Sequence, residues 1–194
     1  MSKMPTLILT PGELSLAQLR AIRAGGVTLQ LAPTAAEVIR RSAAIVQAHA
    51  AGDAAVYGVN TGFGKLASTR ISKDDLATLQ FNLIRSHCVG VGQPLAPGVV
   101  RLMLATKAAS LARGYSGVRE AVVQSLLDVF NAGLVPYVPC QGSVGASGDL
   151  APLSHMTAVM IGVGEADTPS GRKPAVEALA SAGLAPVVLG PKEG

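Results

Sequence analysis

The run Gly142-Ser143-Val144-Gly145-Ala146-Ser147-Gly148-Asp149-Leu150-Ala151-Pro152-Leu153-Ser154-His155 changes character at its midpoint. Gln141–Asp149 has a glycine at every third residue from Gly142 to Gly148 and reads as a tight turn. Leu150–Ile161 is apolar and reads as a helix, with Pro152 tolerable because it lies in the first turn. Upstream, Leu134–Cys140 carries Pro136 and Pro139 and reads as extended, an edge or a connector. Downstream, Gly164–Lys173 reads as a polar turn or short hairpin, and a short helix over Ala175–Ala182 stops at Gly183.

Further out the pattern is helical. Thr10-Pro11-Gly12-Glu13 predicts a helix start, with Thr10 as cap, Glu13 completing a capping box and Leu9 and Leu14 as a hydrophobic staple. Gly25-Gly26 ends that helix. Thr34-Ala35-Ala36-Glu37 repeats the box and predicts a helix running to Gly52. Ser72 caps a third, with Leu76, Leu79, Leu83 and His87 on one stripe, ended by Gly90, Gly92 and Pro94. Two more run from about Pro97 to Arg113 and from about Gly117 to Asn131. The chain reads as mainly α with a few short strands. It forms one unit over residues 1–194, with no repeat, linker or low-complexity segment.

Of the 194 residues, 49% are hydrophobic, a further 22 are Gly and only 14% are charged. A typical soluble domain has about 25% charged residues. Such a chain has ample apolar surface to bury, which excludes disorder. No run approaches the roughly 18 apolar residues of a membrane-spanning helix. The excess of apolar surface points to an oligomer subunit or to part of something larger. The net charge of +4 is scattered, and with 3 Tyr, 3 Phe and no Trp there is no basic, aromatic-rich patch for nucleic acid. The N-terminus lacks a signal-peptide core. Cys88 and Cys140 form no CxxC, and two free thiols fit a cytoplasmic protein. His49, His87 and His155 are too far apart for a local metal-ligand pair, so no metal is expected.

Two loops could carry chemistry. Tyr57-Gly58-Val59-Asn60-Thr61-Gly62-Phe63-Gly64-Lys65 resembles a phosphate loop but fails its test, because position 59 is Val and position 66 is Leu. Without chemistry it is a glycine-rich turn whose Tyr packs on the core. In the second loop, neither Ser143 nor Ser147 fits the G-x-S-x-G elbow of a serine hydrolase. It could be an anion-binding nest ahead of the next helix. The residue types fit a third reading better: Ala146-Ser147-Gly148 can cyclise on itself. The Gly148 nitrogen attacks the Ala146 carbonyl, and two waters leave, one from the ring carbon and one carrying the Ser147 hydroxyl. The product is 4-methylideneimidazol-5-one (MIO), an electrophile. Gly lets its nitrogen approach closely, Ala is small beside the attacked carbonyl, and Ser supplies the hydroxyl that is eliminated.

Gly142–His155 resembles the signature of the aromatic amino-acid ammonia-lyases, and Tyr57–Gly64 is similar to that family's tyrosine loop. The resemblance covers the whole chain, including Leu9–Arg20 and Ser68–Ile71. It implies the N-terminal, MIO-bearing domain of the L-aspartase/fumarase-like helical fold. It also implies non-oxidative elimination of ammonia, with no metal and no nucleotide. Ala146, Ser147 and Gly148 would form the group, and Tyr57 would remove the β-proton. A free phenol is a poor base near neutral pH, so this role needs a positive environment, such as helix N-termini. The pair Ser86-His87 resembles that of members acting on L-histidine to give trans-urocanate, with His87 touching substrate. The alternative for His87 is a core histidine continuing the Leu stripe. His155 reads as structural, His49 as a partly exposed helix residue, and Asp149 as a residue orienting the loop during cyclisation. Relatives acting on tyrosine or phenylalanine, aminomutases and a non-catalytic family subunit are the alternatives.

Family members are longer, form homotetramers and take active-site residues from three subunits, with Tyr57 and Ala146 on different chains. The Asn-Gly segment that follows in the family, its later Tyr, Gln, Arg and Glu, and the C-terminal helical bundle lie outside residues 1–194. This polypeptide alone is therefore expected to be inactive and to self-associate.

Overall fold

The computed structural model describes residues Met4–Ser72 and Asp75–Gly194. Among them are seven α-helices: α1 (Leu16–Ala24), α2 (Ala35–Ala51), α3 (Leu76–His87), α4 (Pro97–Leu111), α5 (Glu120–Asn131), α6 (Leu150–Met160) and α7 (Ala175–Ser181). The strands are β1 (Thr6–Leu9), β2 (Thr28–Leu31), β3 (Val91–Pro94), β4 (Val135–Pro136), β5 (Pro139–Gln141), β6 (Glu165–Thr168) and β7 (Gly171–Pro174). The mainly α expectation holds.

The core is built around α4 and α5. Helix α4 is apolar on nearly every side and buries Val100, Leu104, Ala105, Ala108, Ala109 and Leu111, as a helix enclosed by protein must. Its alanines let α1 and α5 pack closely. Helix α5 contributes Val122, Val123, Leu126, Leu127, Val129 and Phe130, and α6 contributes Met156, Ala158, Val159 and Met160. Each large side chain buried here is worth about 1.5–3 kcal/mol. Helix α6 also packs along α3, the contact that matters for the site.

Three small sheets tie the ends of the helices. Strands β1 and β2 are parallel and flank α1 in sequence. The Asn131 side chain, at the end of α5, accepts from Leu29 N at 2.7 Å and donates to Leu29 O at 2.9 Å, pairing backbone groups of β2. Strands β3 and β5 are antiparallel, with Val91 opposite Gln141. Strands β4, β6 and β7 form an antiparallel sheet, so Gly164–Lys173 is the hairpin that its composition predicts.

Three helix starts differ from the sequence reading. Helix α1 begins at Ser15, not Thr10: Ser15 and Gln18 form the capping box, and Thr10–Glu13 is a turn. The reason is Gly12, whose φ of +86° cannot be part of a right-handed helix. Thr34 precedes α2 but makes no side-chain cap, because its own backbone is already helical. Helix α3 has Asp75, not Ser72, at its N-cap position, although Ser72 Oγ accepts from the Asp75 amide at 3.2 Å, and its fully buried residues are Leu76, Gln80 and Ile84. Leu79, Leu83 and His87 are half-buried.

Candidate active site

The glycine-rich segment folds as two consecutive tight turns. Ser147 N donates to Val144 O at 2.8 Å, and Gly148 N donates to Gly145 O at 3.3 Å. Val144 and Gly148 then face each other as an antiparallel bridge. Gly148 has a φ of +89°, the left-handed region that favours glycine. A Cβ there would meet nothing within 4 Å, so backbone conformation, not space, selects Gly at this position. Ser143 Oγ donates to Asp149 Oδ1 and closes the base of the loop. The Asp149 carboxylate thus holds the loop and does not cap α6.

Ala146, Ser147 and Gly148 are all exposed, and Ser147 Oγ has no hydrogen-bond partner among the described residues. The residues fit ring closure. The hydroxyl to be eliminated is free, no Cβ shields the attacking nitrogen, and the tripeptide already sits at the apex of a turn.

The tyrosine loop is organised by Asn60, which is almost fully buried. Its Oδ1 accepts from Val56 N at 2.7 Å, and its Nδ2 donates to Ala54 O at 2.9 Å and to His49 O at 3.3 Å. Its own carbonyl accepts from Ile71 N. These bonds lash the loop to the end of α2. Gly62 is required by contact, since a Cβ there would lie 2.5 Å from Leu66 Cβ. Tyr57 is 62% exposed and meets Phe63 edge-on at 5.9 Å between ring centroids. It does not pack on the core, which overturns the reading of this segment as a turn anchored by a buried Tyr.

His87 is the last residue of α3. Its Nδ1 lies 2.8 Å from Leu83 O and 3.1 Å from Ser86 Oγ. A carbonyl can only accept, so Nδ1 carries the hydrogen and a neutral ring presents a free lone pair at Nε2. His87 continues the face of Leu76, Gln80 and Ile84 but, unlike those three, is only half-buried, so it is not a fully buried core histidine.

The chain leaving α3 is joined to the signature. Gly90 N donates to His155 Nε2 at 3.1 Å. A Cβ on Gly90 would lie 3.1 Å from His155 Nε2 and 3.2 Å from Pro139 Cβ, and one on Gly142 would lie 3.0 Å from Gly90 Cα. Burial pushes the His155 imidazole below its ordinary value and favours the neutral ring that this hydrogen bond needs. The structure therefore holds the Ser86-His87 end of α3 against the start of the signature. No hydrogen bond, ion pair or aromatic contact among the described residues links Tyr57 to Ala146-Ser147-Gly148.

Sequence reasoning missed several residues that fix the site's surroundings. Arg119 grips Glu193, whose side chain is 2% exposed, and Gly194 N donates to Gln80 Oε1 at 2.7 Å. An Asn between glycine turns signals a loop organiser such as Asn60, whereas the Arg119–Glu193 pair spans 74 positions and leaves no local trace. His49 is exposed on α2, as expected. Among the described residues no group of three or more His, Cys, Asp or Glu could hold a metal ion. None of their helices is long and apolar enough to cross a membrane.

The sequence profile of the aromatic amino acid lyase family matches residues 14–194. The chain belongs to that family. Histidine ammonia-lyase of Paracidovorax citrulli is 57% identical over 194 residues, which is all of this chain and 38% of that protein. This aromatic amino acid lyase chain thus spans well under half the length of the curated relative it matches. The fold agrees. The crystal structure of histidine ammonia-lyase from Trypanosoma cruzi superposes with a TM-score of 0.90 at 39% identity, covering 97% of this chain and 37% of the other. Ergothionase from Treponema denticola superposes with a TM-score of 0.92 at 30% identity, covering 97% and 38%.

Proposed function

We propose that this chain is the N-terminal part of a histidine ammonia-lyase, which converts L-histidine to trans-urocanate and ammonia. The observation that carries the reading is the exposed Ala146-Ser147-Gly148 turn, with Gly148 at positive φ and a free Ser147 hydroxyl. The 57% identity to a curated histidine ammonia-lyase supports the choice of substrate.

In the reaction the Cα–N and Cβ–H bonds of the substrate break, and the Cβ–H electron pair becomes the Cα–Cβ double bond. The difficulty is a weakly acidic β-proton and a poor leaving group. Ala146, Ser147 and Gly148 would form the MIO ring, whose electrophilic methylene would supply the activation that makes the substrate amine easier to expel. Tyr57, on an exposed and well-anchored loop, takes the β-proton as general base. His87 offers Nε2 to the substrate side chain, its orientation fixed by Leu83 O and Ser86 Oγ. Asp149, tied to Ser143, holds the loop during ring closure.

That no hydrogen bond, ion pair or aromatic contact among the described residues joins Tyr57 to the signature supports a site shared between subunits of a homotetramer. Val89, Val91, Val144 and Leu150, exposed on and around the signature, are apolar surface for such packing. The free thiols Cys88 and Cys140 support a cytoplasmic location.

The test is to express the reading frame that contains residues 1–194 to its stop codon and supply L-histidine, L-tyrosine, L-phenylalanine and, given the ergothionase likeness, ergothioneine. The reading predicts urocanate from L-histidine and no turnover by Ser147→Ala. Cinnamate, coumarate or a β-amino acid as the main product would replace it.

A further inference from the structure

We infer that His155 is a positioning residue: it fixes the Ser86-His87 end of α3 relative to the Ala146-Ser147-Gly148 turn, and so sets how well substrate is held, without taking part in ring closure or bond breaking. The inference rests on the lyase reading above and assigns a role that the sequence left as merely structural.

Three chain segments meet at one joint. The first is the exit of α3, where Val89 N donates to His87 O at 2.8 Å and the next residue, Gly90, gives its N–H to His155 Nε2 at 3.1 Å. The second is Gly142 at the start of the signature. A Cβ there would lie 3.0 Å from Gly90 Cα and 3.1 Å from Ala151 Cβ. The third is α6, which carries both Ala151 and His155. Pairing of Val91 with Gln141 continues the joint into β3 and β5.

Packing of this kind sets how closely the segments approach. Direction comes from the Gly90 N–H bond to the imidazole. An apolar side chain at 155 would leave that half-buried N–H without a partner, and the exit of α3 would then shift to find one. Ser86 and His87, the last residues of α3, lie only four and three residues back along the chain from Gly90 and move with that exit. Displacement of a substrate-contacting group by about 1 Å is enough to be felt in kinetics. Ring closure depends on the turn's own backbone bonds, which His155 does not touch, so it should be unaffected.

The experiment uses the protein expressed to its natural stop codon, as wild type, His155→Gln, His155→Leu and Gly90→Ala. The Gln Oε1 reaches the place of Nε2 and accepts the same N–H. Intact mass is measured first, and every variant should lack the mass of two waters. Kinetics on L-histidine should then show His155→Leu and Gly90→Ala raising KM about tenfold with kcat within about threefold of wild type, and His155→Gln close to wild type. A wild-type KM in His155→Leu overturns the inference, as does an equal loss of kcat in the Leu and Gln variants. If His155→Leu does not fold, the contrast between Gly90→Ala and His155→Gln decides in the same way. A wild-type protein that forms the ring but releases no urocanate defeats the lyase reading, and with it this inference.

Discussion

Arg119 Nη2 lies 2.6 Å from Glu193 Oε2, and Glu193 also accepts from the backbone N–H groups of Arg119 and Gly190. Burial alone would raise the Glu193 carboxyl, but these donors overcome it and hold the group below its ordinary value. The bond network pins the segment around Gly190–Gly194 to the start of α5. Glu193→Gln should cost about 2–3 kcal/mol, toward the low end for a buried pair because Arg119 is partly exposed. The sign of the pH effect follows from the depressed pKa. The stabilisation is complete above the unfolded carboxylate's value of about 4.3 and is lost as pH falls through the lower folded value. Urea midpoints should therefore fall more steeply below about pH 4 in the wild type than in Glu193→Gln. Parallel pH profiles would show that the pair contributes nothing.

Tyr57 and Asn60 share a loop but answer to different demands. Tyr57→Phe removes one exposed hydroxyl and should leave stability within about 0.5 kcal/mol while lowering turnover at least about a hundredfold. Asn60→Ala strips the bonds that tie the loop to α2 and should cost about 2–3 kcal/mol. Thermal unfolding and steady-state rates on both variants separate the two. A large stability loss in Tyr57→Phe would mean that the exposed ring is structural.

Gly145 and Gly148 both have open space around a would-be Cβ, but only Gly148 has positive φ. Gly148→Ala should cost about 1 kcal/mol in backbone strain and impair ring closure. Gly145→Ala should fold and cyclise. The mass of the purified variants reads the second effect directly, and equal behaviour of the two would contradict the assignment.

The helical segments and the signature turn were legible because both are local. Helix C-termini fall at glycines such as Gly25 and Gly52, whose backbone N–H groups bond the last carbonyls. The N-termini were harder, since Thr10-Pro11-Gly12-Glu13 and Thr34-Ala35-Ala36-Glu37 have the letters of a capping box without its geometry. Ser15→Ala should accordingly cost about 1 kcal/mol and Thr10→Ala nearly nothing, as equilibrium unfolding would show. Strands β1 and β2 escaped notice because each has four residues and is defined by pairing with the other across α1. The Gly90–His155 joint was invisible for the same reason, as it links positions 65 apart. The alternative that Tyr57 packs on the core fails, although an aromatic in an apolar chain is usually buried. Here Asn60, not Tyr57, anchors the loop.

Ring closure at Ala146-Ser147-Gly148 is the chemistry on which the proposed function depends. The most direct measurement is the mass of the peptide spanning these residues, taken from the protein expressed to its natural stop codon and compared with Ser147→Ala. The wild-type peptide should be lighter than its sequence by two waters, and the variant should have its unmodified sequence mass. A wild-type peptide at full sequence mass would contradict the proposed function.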